Sequence, residues 1–155
     1  MYERTVFGQK SERVIGRLAA DAERRLDVCT AFCRSETFER IFGHGSVNAT
    51  QKRLIMRWRL EDLAKGVSDI RTYYIARDAG WQVYIEPTLH AKCYVFDEKC
   101  VIGSANLTEA GIRNRGSGNI ELCRAYKIDS PTEQWLESLF GCAYPLTDEI
   151  VWAVE

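Results

Sequence analysis

Apolar residues at helical spacing and short strand-like runs take turns along this chain, and that alternation constrains the fold more than any other feature. Val14, Ile15, Leu18, Ala19, Ala22 and Leu26 place a helix over 11–26, and a first strand follows at 27–32. Ser35 can cap a short helix to Phe42, and Gly43–Ser46 forms a loop. A second strand at 52–59 precedes a helix at 67–79, started by Ser68 and stopped by Gly80. A third strand at 81–86 is closed by Pro87. The run through Cys93, Tyr94, Val95 and Phe96 is a strand, and Asp97-Glu98-Lys99 turns it into another at 100–104. A glycine- and arginine-bearing loop at 111–118 leads to a strand at 119–126. Ser130-Pro131-Thr132-Glu133 has the form of a capping box, so a helix runs to about Phe140. The pattern does not assign a state to 144–155. Helix–strand alternation with one hairpin implies an α/β fold: a mixed β-sheet with helices on both faces.

The chain of 155 residues is expected to form one domain spanning 1–155. It has no run of eighteen apolar residues to cross a membrane, and its start lacks the basic-then-apolar form of a secretion signal. A cytoplasmic protein is the expectation. Cys29, Cys33, Cys93, Cys100, Cys123 and Cys142 match no zinc spacing, and several lie in strand-like runs, so reduced buried thiols are expected. The net charge of −1 conceals an asymmetry. Six acids and no lysine or arginine occupy 128–155, which leaves the rest of the chain at +5. That balance permits local attraction of phosphate without strong non-specific DNA binding.

His90 and Lys92 stand two apart at the head of the Cys93 strand, so alternation turns both to one face. Gly103, Ser104 and Asn106 follow closely. An imidazole beside an ammonium suits a phosphate ester: the lysine neutralises the anion, and the histidine attacks phosphorus or moves a proton near neutral pH.

His-x-Lys-x4-Asp followed by Gly-Ser-x-Asn, here His90, Lys92, Asp97, Gly103, Ser104 and Asn106, resembles the signature of the phospholipase D superfamily. Asn119-Ile120-Glu121 sits where nuclease members carry an Asn-x-Glu pair, and the resemblance covers about 81–126. Only one copy of the motif is present, as in the short single-motif members, which include metal-independent nucleases and catalytic domains of some restriction endonucleases. The resemblance therefore implies a two-fold homodimer with a shared site, nucleic acid as substrate, and no cofactor or metal. It implies that His90 forms a phosphohistidine and that the partner's His90 protonates the leaving oxygen. It makes Lys92 and Asn106 clamps on the non-bridging oxygens, and sets Glu121 against the other nitrogen of His90.

Each residue also has a plainer reading. His90 could be a structural histidine and Lys92 a solvated one, but the surrounding motif favours chemistry. Asn106 could merely cap the turn that follows it; Ser104 could hold the loop or back up a ligand. Glu121 could be a strand carboxylate facing water, with Asn119 on the same face as a helper. Asp97, five residues beyond Lys92, falls on the opposite face and begins a turn, so a structural role suits it better than direct chemistry. Arg57 and Arg59 share a face of the second strand, as a solvated strand end or as phosphate contacts. Arg113 and Arg115, in the loop before Glu121, are candidate substrate contacts. His44 is read as a loop residue.

Three functions remain open at this level. The first is a metal-independent nuclease on DNA or RNA. The second is a phosphodiesterase acting on a lipid or small molecule, against which the missing second motif and missing membrane helix count. The third is a nucleic-acid-binding or dimerisation module of a larger restriction or defence assembly, with specificity supplied by another protein such as a helicase-type partner. No sequence-reading element such as a helix-turn-helix or zinc finger is recognisable.

Overall fold

The structure, a computed structural model, describes residues 3–43, 45–112 and 118–155. His44, Arg113 and Arg115 lie outside the described residues. The elements are β1 (Arg4–Phe7), α1 (Gly8–Asp21), β2 (Arg25–Thr30), α2 (Ser35–Phe42), β3 (Gln51–Met56), α3 (Leu60–Ala64), α4 (Arg71–Asp78) and β4 (Gln82–Ile85). They continue with β5 (Cys93–Phe96), β6 (Lys99–Gly103), α5 (Glu109–Ile112), β7 (Leu122–Lys127), α6 (Ser130–Cys142), β8 (Tyr144–Pro145) and α7 (Asp148–Trp152).

One eight-stranded sheet runs in the order β1-β7-β6-β5-β2-β3-β4-β8. β2, β3 and β4 are mutually parallel, as their helical crossovers require, and the remaining pairings are antiparallel. The expected mixed sheet with helices on both faces is therefore what the chain forms. Alternation along β2, β3 and β5 sorts the core. Val28, Leu54, Met56, Tyr94 and Phe96 pack with residues of α1, α2, α4 and α7, whereas Cys29, Ile55, Cys93 and Val95 meet Leu136 and Phe140 of α6.

The α6 face also buries charge. Asp27 is fully buried and accepts from Arg53 Nε and Nη2, both at 2.8 Å, and from Arg25 Nε at 2.6 Å. Arg53 lies 4.0 Å over the Phe140 ring, and Arg25 continues to Glu133. This chain of fork-shaped pairs ties α6 to the middle of the sheet.

Several boundaries differ from the sequence reading, each for a local reason. α1 stops at Asp21, and Leu26 belongs to β2. The break between them is where the Asp97 carboxylate collects the amides of Glu23, Arg24 and Arg25. β2 correspondingly ends at Thr30, since the Phe32 amide turns to Asn106. β3 ends at Met56 rather than residue 59, because Trp58 takes a positive φ of 48°. α4 begins at Arg71, not residue 67. The Ser68 hydroxyl serves the Cys33 amide, and Asp69 accepts from the Thr72 amide at the helix head. Gly80, at φ 81°, ends that helix as expected. At α6 the capping residue is Asp129, whose carboxylate accepts from the Thr132 amide; Glu133 is engaged by Arg25 instead of closing a box on Ser130. β1, α3, α5, β8 and α7 have no counterpart in the sequence reading. The six cysteines are free thiols and five are buried. Burial pushes the Cys29 thiol up to about 12, away from reactivity.

Candidate active site

His90 and Lys92 precede β5 instead of lying within it, in an extended segment at the carboxyl end of the parallel strands β2 and β3. Open α/β sheets present their ligand crevices at that edge. The two side chains nonetheless meet. Lys92 Nζ is 3.4 Å from His90 Nε2, the histidine exposed and the lysine buried. A lysine ammonium can only donate, so it meets a neutral imidazole at the Nε2 lone pair and sets a positive charge beside it.

Burial pulls the Lys92 ammonium below its ordinary value; the nearby Glu121 carboxylate opposes this, and the Arg57 guanidinium adds to it. Glu121 therefore acts on Lys92 electrostatically. Among the described residues no hydrogen bond joins Glu121 to His90. Asn119 and Glu121 also lie ahead of β7, which starts at Leu122, and not inside a strand.

The 103–107 segment is pinned from three sides. A Cβ on Gly103 would collide with the Leu122 carbonyl oxygen, so β6 approaches β7 closely there only because the residue is glycine. Ser104 Oγ accepts from the Leu122 amide at 3.0 Å and donates to its carbonyl at 3.4 Å, which makes Ser104 a loop holder. Tyr94 donates its hydroxyl to the Ala105 carbonyl at 2.7 Å. Asn106 Oδ1 accepts from the Phe32 amide at 3.1 Å and the Thr30 hydroxyl at 3.3 Å. With the oxygen so occupied, and with no partner for Nδ2 among the described residues, the amide nitrogen is the free donor. Thr30, Phe32 and Tyr94 thus orient the loop. Sequence reasoning missed them because a buried threonine on a strand carries no signal of its own.

Asp97 lies beyond the far end of β5, at φ 54°, with its carboxylate on three backbone amides at 2.9–3.0 Å. These amides hold its carboxyl below the usual range although burial pushes the other way. The two arginines after β3 are not strand neighbours. Arg57 makes a forked pair with Asp62, 2.8 Å at Nε, and lies 4.6 Å over the Phe32 ring. It borders the site as a second cation beside Lys92. Arg59 donates from Nε to the Pro87 carbonyl at 2.6 Å, bracing the turn that leads to His90. Among the described residues no group of His, Cys, Asp or Glu could hold a metal ion.

A family model described as "Cardiolipin synthase, PLD-like domain" matches residues 15–140. Among solved structures, the phospholipase D family member Nuc from Salmonella typhimurium superposes with a TM-score of 0.72 at 13% identity, over 95% of this chain and 99% of its own. NucT from Helicobacter pylori gives 0.66 at 10% identity, over 94% and 100%. Phosphatidylserine synthase of Haemophilus influenzae gives 0.64 at 14% identity; 98% of this chain covers 42% of that one. At these identities the likeness is one of fold. No curated protein matches.

Proposed function

From the premise that this chain belongs to the phospholipase D-like family, we propose that it is a metal-independent phosphodiesterase acting on nucleic acid as a homodimer. One observation carries the reading: the Lys92 ammonium lies against His90 Nε2, at the mouth of a loop whose Asn106 amide nitrogen is free to donate. His90 Nε2 attacks phosphorus, a P–N bond forms, and the P–O bond to the leaving nucleotide breaks. The leaving oxygen takes a proton from the partner's histidine. Water then attacks the phosphohistidine, the P–N bond breaks, and its proton passes to the same base. Lys92 and the Asn106 amide stabilise the charge that grows on the non-bridging oxygens. One imidazole starts neutral and the other charged, so the pH–rate profile is bell-shaped.

The dimer is supported by what surrounds the site. Ile120, next to Glu121, is 99% exposed, and Leu122 is 56% exposed. Large apolar side chains laid bare beside a half-site suit a self-complementary interface. The test is cleavage of labelled single- and double-stranded DNA and RNA in excess EDTA, by wild type and His90→Ala. Cleavage by wild type alone is the expected result. Activity that EDTA abolishes and magnesium restores would overturn the reading.

One observation favours a second substrate class. An apolar cleft of about 400 Å³, bordered by Ala91, Cys93, Ile102, Pro131 and Trp135, opens beside Lys92. A lipid diester could place a chain there. Hydrolysis of phospholipid vesicles, with oligonucleotides left intact, would select that class.

A further inference from the structure

The arginines named from sequence as substrate contacts are occupied or outside the described residues, yet a group of cations lies elsewhere. Lys10, Arg13 and Arg17 project from one exposed side of α1, while Val14 and Leu18 between them are buried. Arg4 on the edge strand β1 stands opposite Ala125, whose side chain is in the core beneath α1, so Arg4 leans to the α1 side. Lys99 shares a sheet face with Val101, in that same core, and is paired in register with the exposed Lys127. Arg4, Lys10, Arg13, Arg17 and Lys99 border one groove of about 590 Å³, in which Asp21 is the single carboxylate among the described residues.

Most arginines of this chain are answered by carboxylates: Arg25, Arg34, Arg40, Arg53, Arg57 and Arg77 all make ion pairs. Among the described residues Arg4, Lys10, Arg13 and Arg17 make none. Like charges gathered in a concavity repel one another and focus a positive potential outward. Their spacing is ordered. Lys10 to Arg17 spans about 10 Å of helix axis, and one turn between Arg13 and Arg17 is about 5.4 Å.

The groove also has a direction. α1 starts directly after Phe7, which pairs with Leu122, next to Glu121. Lys99 lies at the other end, past the Asp97 turn and opposite Phe96, about 14 Å along the strand direction from Lys92 at ~3.4 Å per residue. The cations thus lead from the site end of the molecule to the far end.

We propose that this groove holds the phosphodiester backbone of a nucleic acid whose scissile phosphate lies at His90. The inference rests on the nucleic-acid reading above and deepens it with a second contact region. A strand carries one charge per ~3.4 Å of duplex axis, so the groove engages phosphates about four nucleotides from the cut. A lipid surface suits it less well, because the apolar residues between the cations are buried and the surface is concave.

The experiment is the double variant Arg13→Gln/Arg17→Gln, which leaves the buried side of α1 untouched. Binding of a fluorescent oligonucleotide of about 20 nucleotides is measured over a salt series in the His90→Ala background, beside anionic vesicles. Hydrolysis of bis(p-nitrophenyl) phosphate, too short to reach the groove, is measured with His90 intact. The expected result is about tenfold weaker oligonucleotide binding and a log K against log salt slope shallower by about 2, with diester hydrolysis unchanged. Unchanged affinity and slope would overturn the groove, as would binding to vesicles in place of oligonucleotides. Groove-dependent binding without cleavage by the His90-intact protein would leave the groove standing and remove the nuclease. Cleavage indifferent to the double variant would do the reverse.

Discussion

Asp97→Ala separates structure from chemistry within the motif. The carboxylate accepts three amides, those of Glu23, Arg24 and Arg25, and so ties the β5–β6 turn to the start of β2. Hydrogen bonds to a charged group contribute about 1.5–3 kcal/mol each when sheltered. Glu23 and Arg24 are exposed and their amides can turn to water, so a total near 3 kcal/mol is expected rather than the full sum. For a domain of this size that lowers Tm by about 6–12 °C. The folded carboxyl titrates below its unfolded value, so its contribution is complete above the unfolded pKa of about 3.9 and is lost as pH falls through the folded one. The gap in stability between wild type and variant should therefore be flat at neutral pH and close in acid. Thermal unfolding against pH measures this, and diester hydrolysis well below Tm measures chemistry, where kcat should stay within about threefold of wild type. A hundredfold loss of kcat with an unchanged Tm would refute the structural role.

Other outcomes follow from the same contacts. Asp27→Ala strands Arg53 and Arg25 under α6, and denaturant unfolding should show a loss of about 3–5 kcal/mol. Lys92→Met should abolish hydrolysis yet raise stability at neutral pH, because the depressed lysine is held charged at a cost. That gain should shrink as pH rises toward the lysine's unfolded value, and a destabilised variant would contradict it. Gly103→Ala forces a Cβ onto the Leu122 carbonyl, and unfolding should register about 2–3 kcal/mol with slower hydrolysis.

The sheet and its helices were legible because alternation and helical spacing are local properties of sequence. Motif spacing singled out His90, Lys92, Gly103 and Asn106, and the sequence reading of Asp97 as the start of a turn matches its place after β5. What escaped depends on partners distant in the chain. Arg57 and Arg59 looked like a strand pair, until Asp62 and Pro87 took them into a turn. Thr30 and Tyr94 orient the Asn106 loop across gaps of 76 and 11 residues that no periodicity records. The α1 cations were visible as charges, but their grouping with Arg4 and Lys99 exists only once β1 pairs with β7.

The most direct test is to trap the intermediate. An oligonucleotide labelled at the scissile phosphate is mixed with excess wild-type enzyme in EDTA, quenched early, and the protein is digested and mapped by mass spectrometry. Label bound to the peptide holding His90, appearing and decaying as product forms, is the expected result. Product release at the same rate with no protein-bound label at any time would contradict nucleophilic attack by His90.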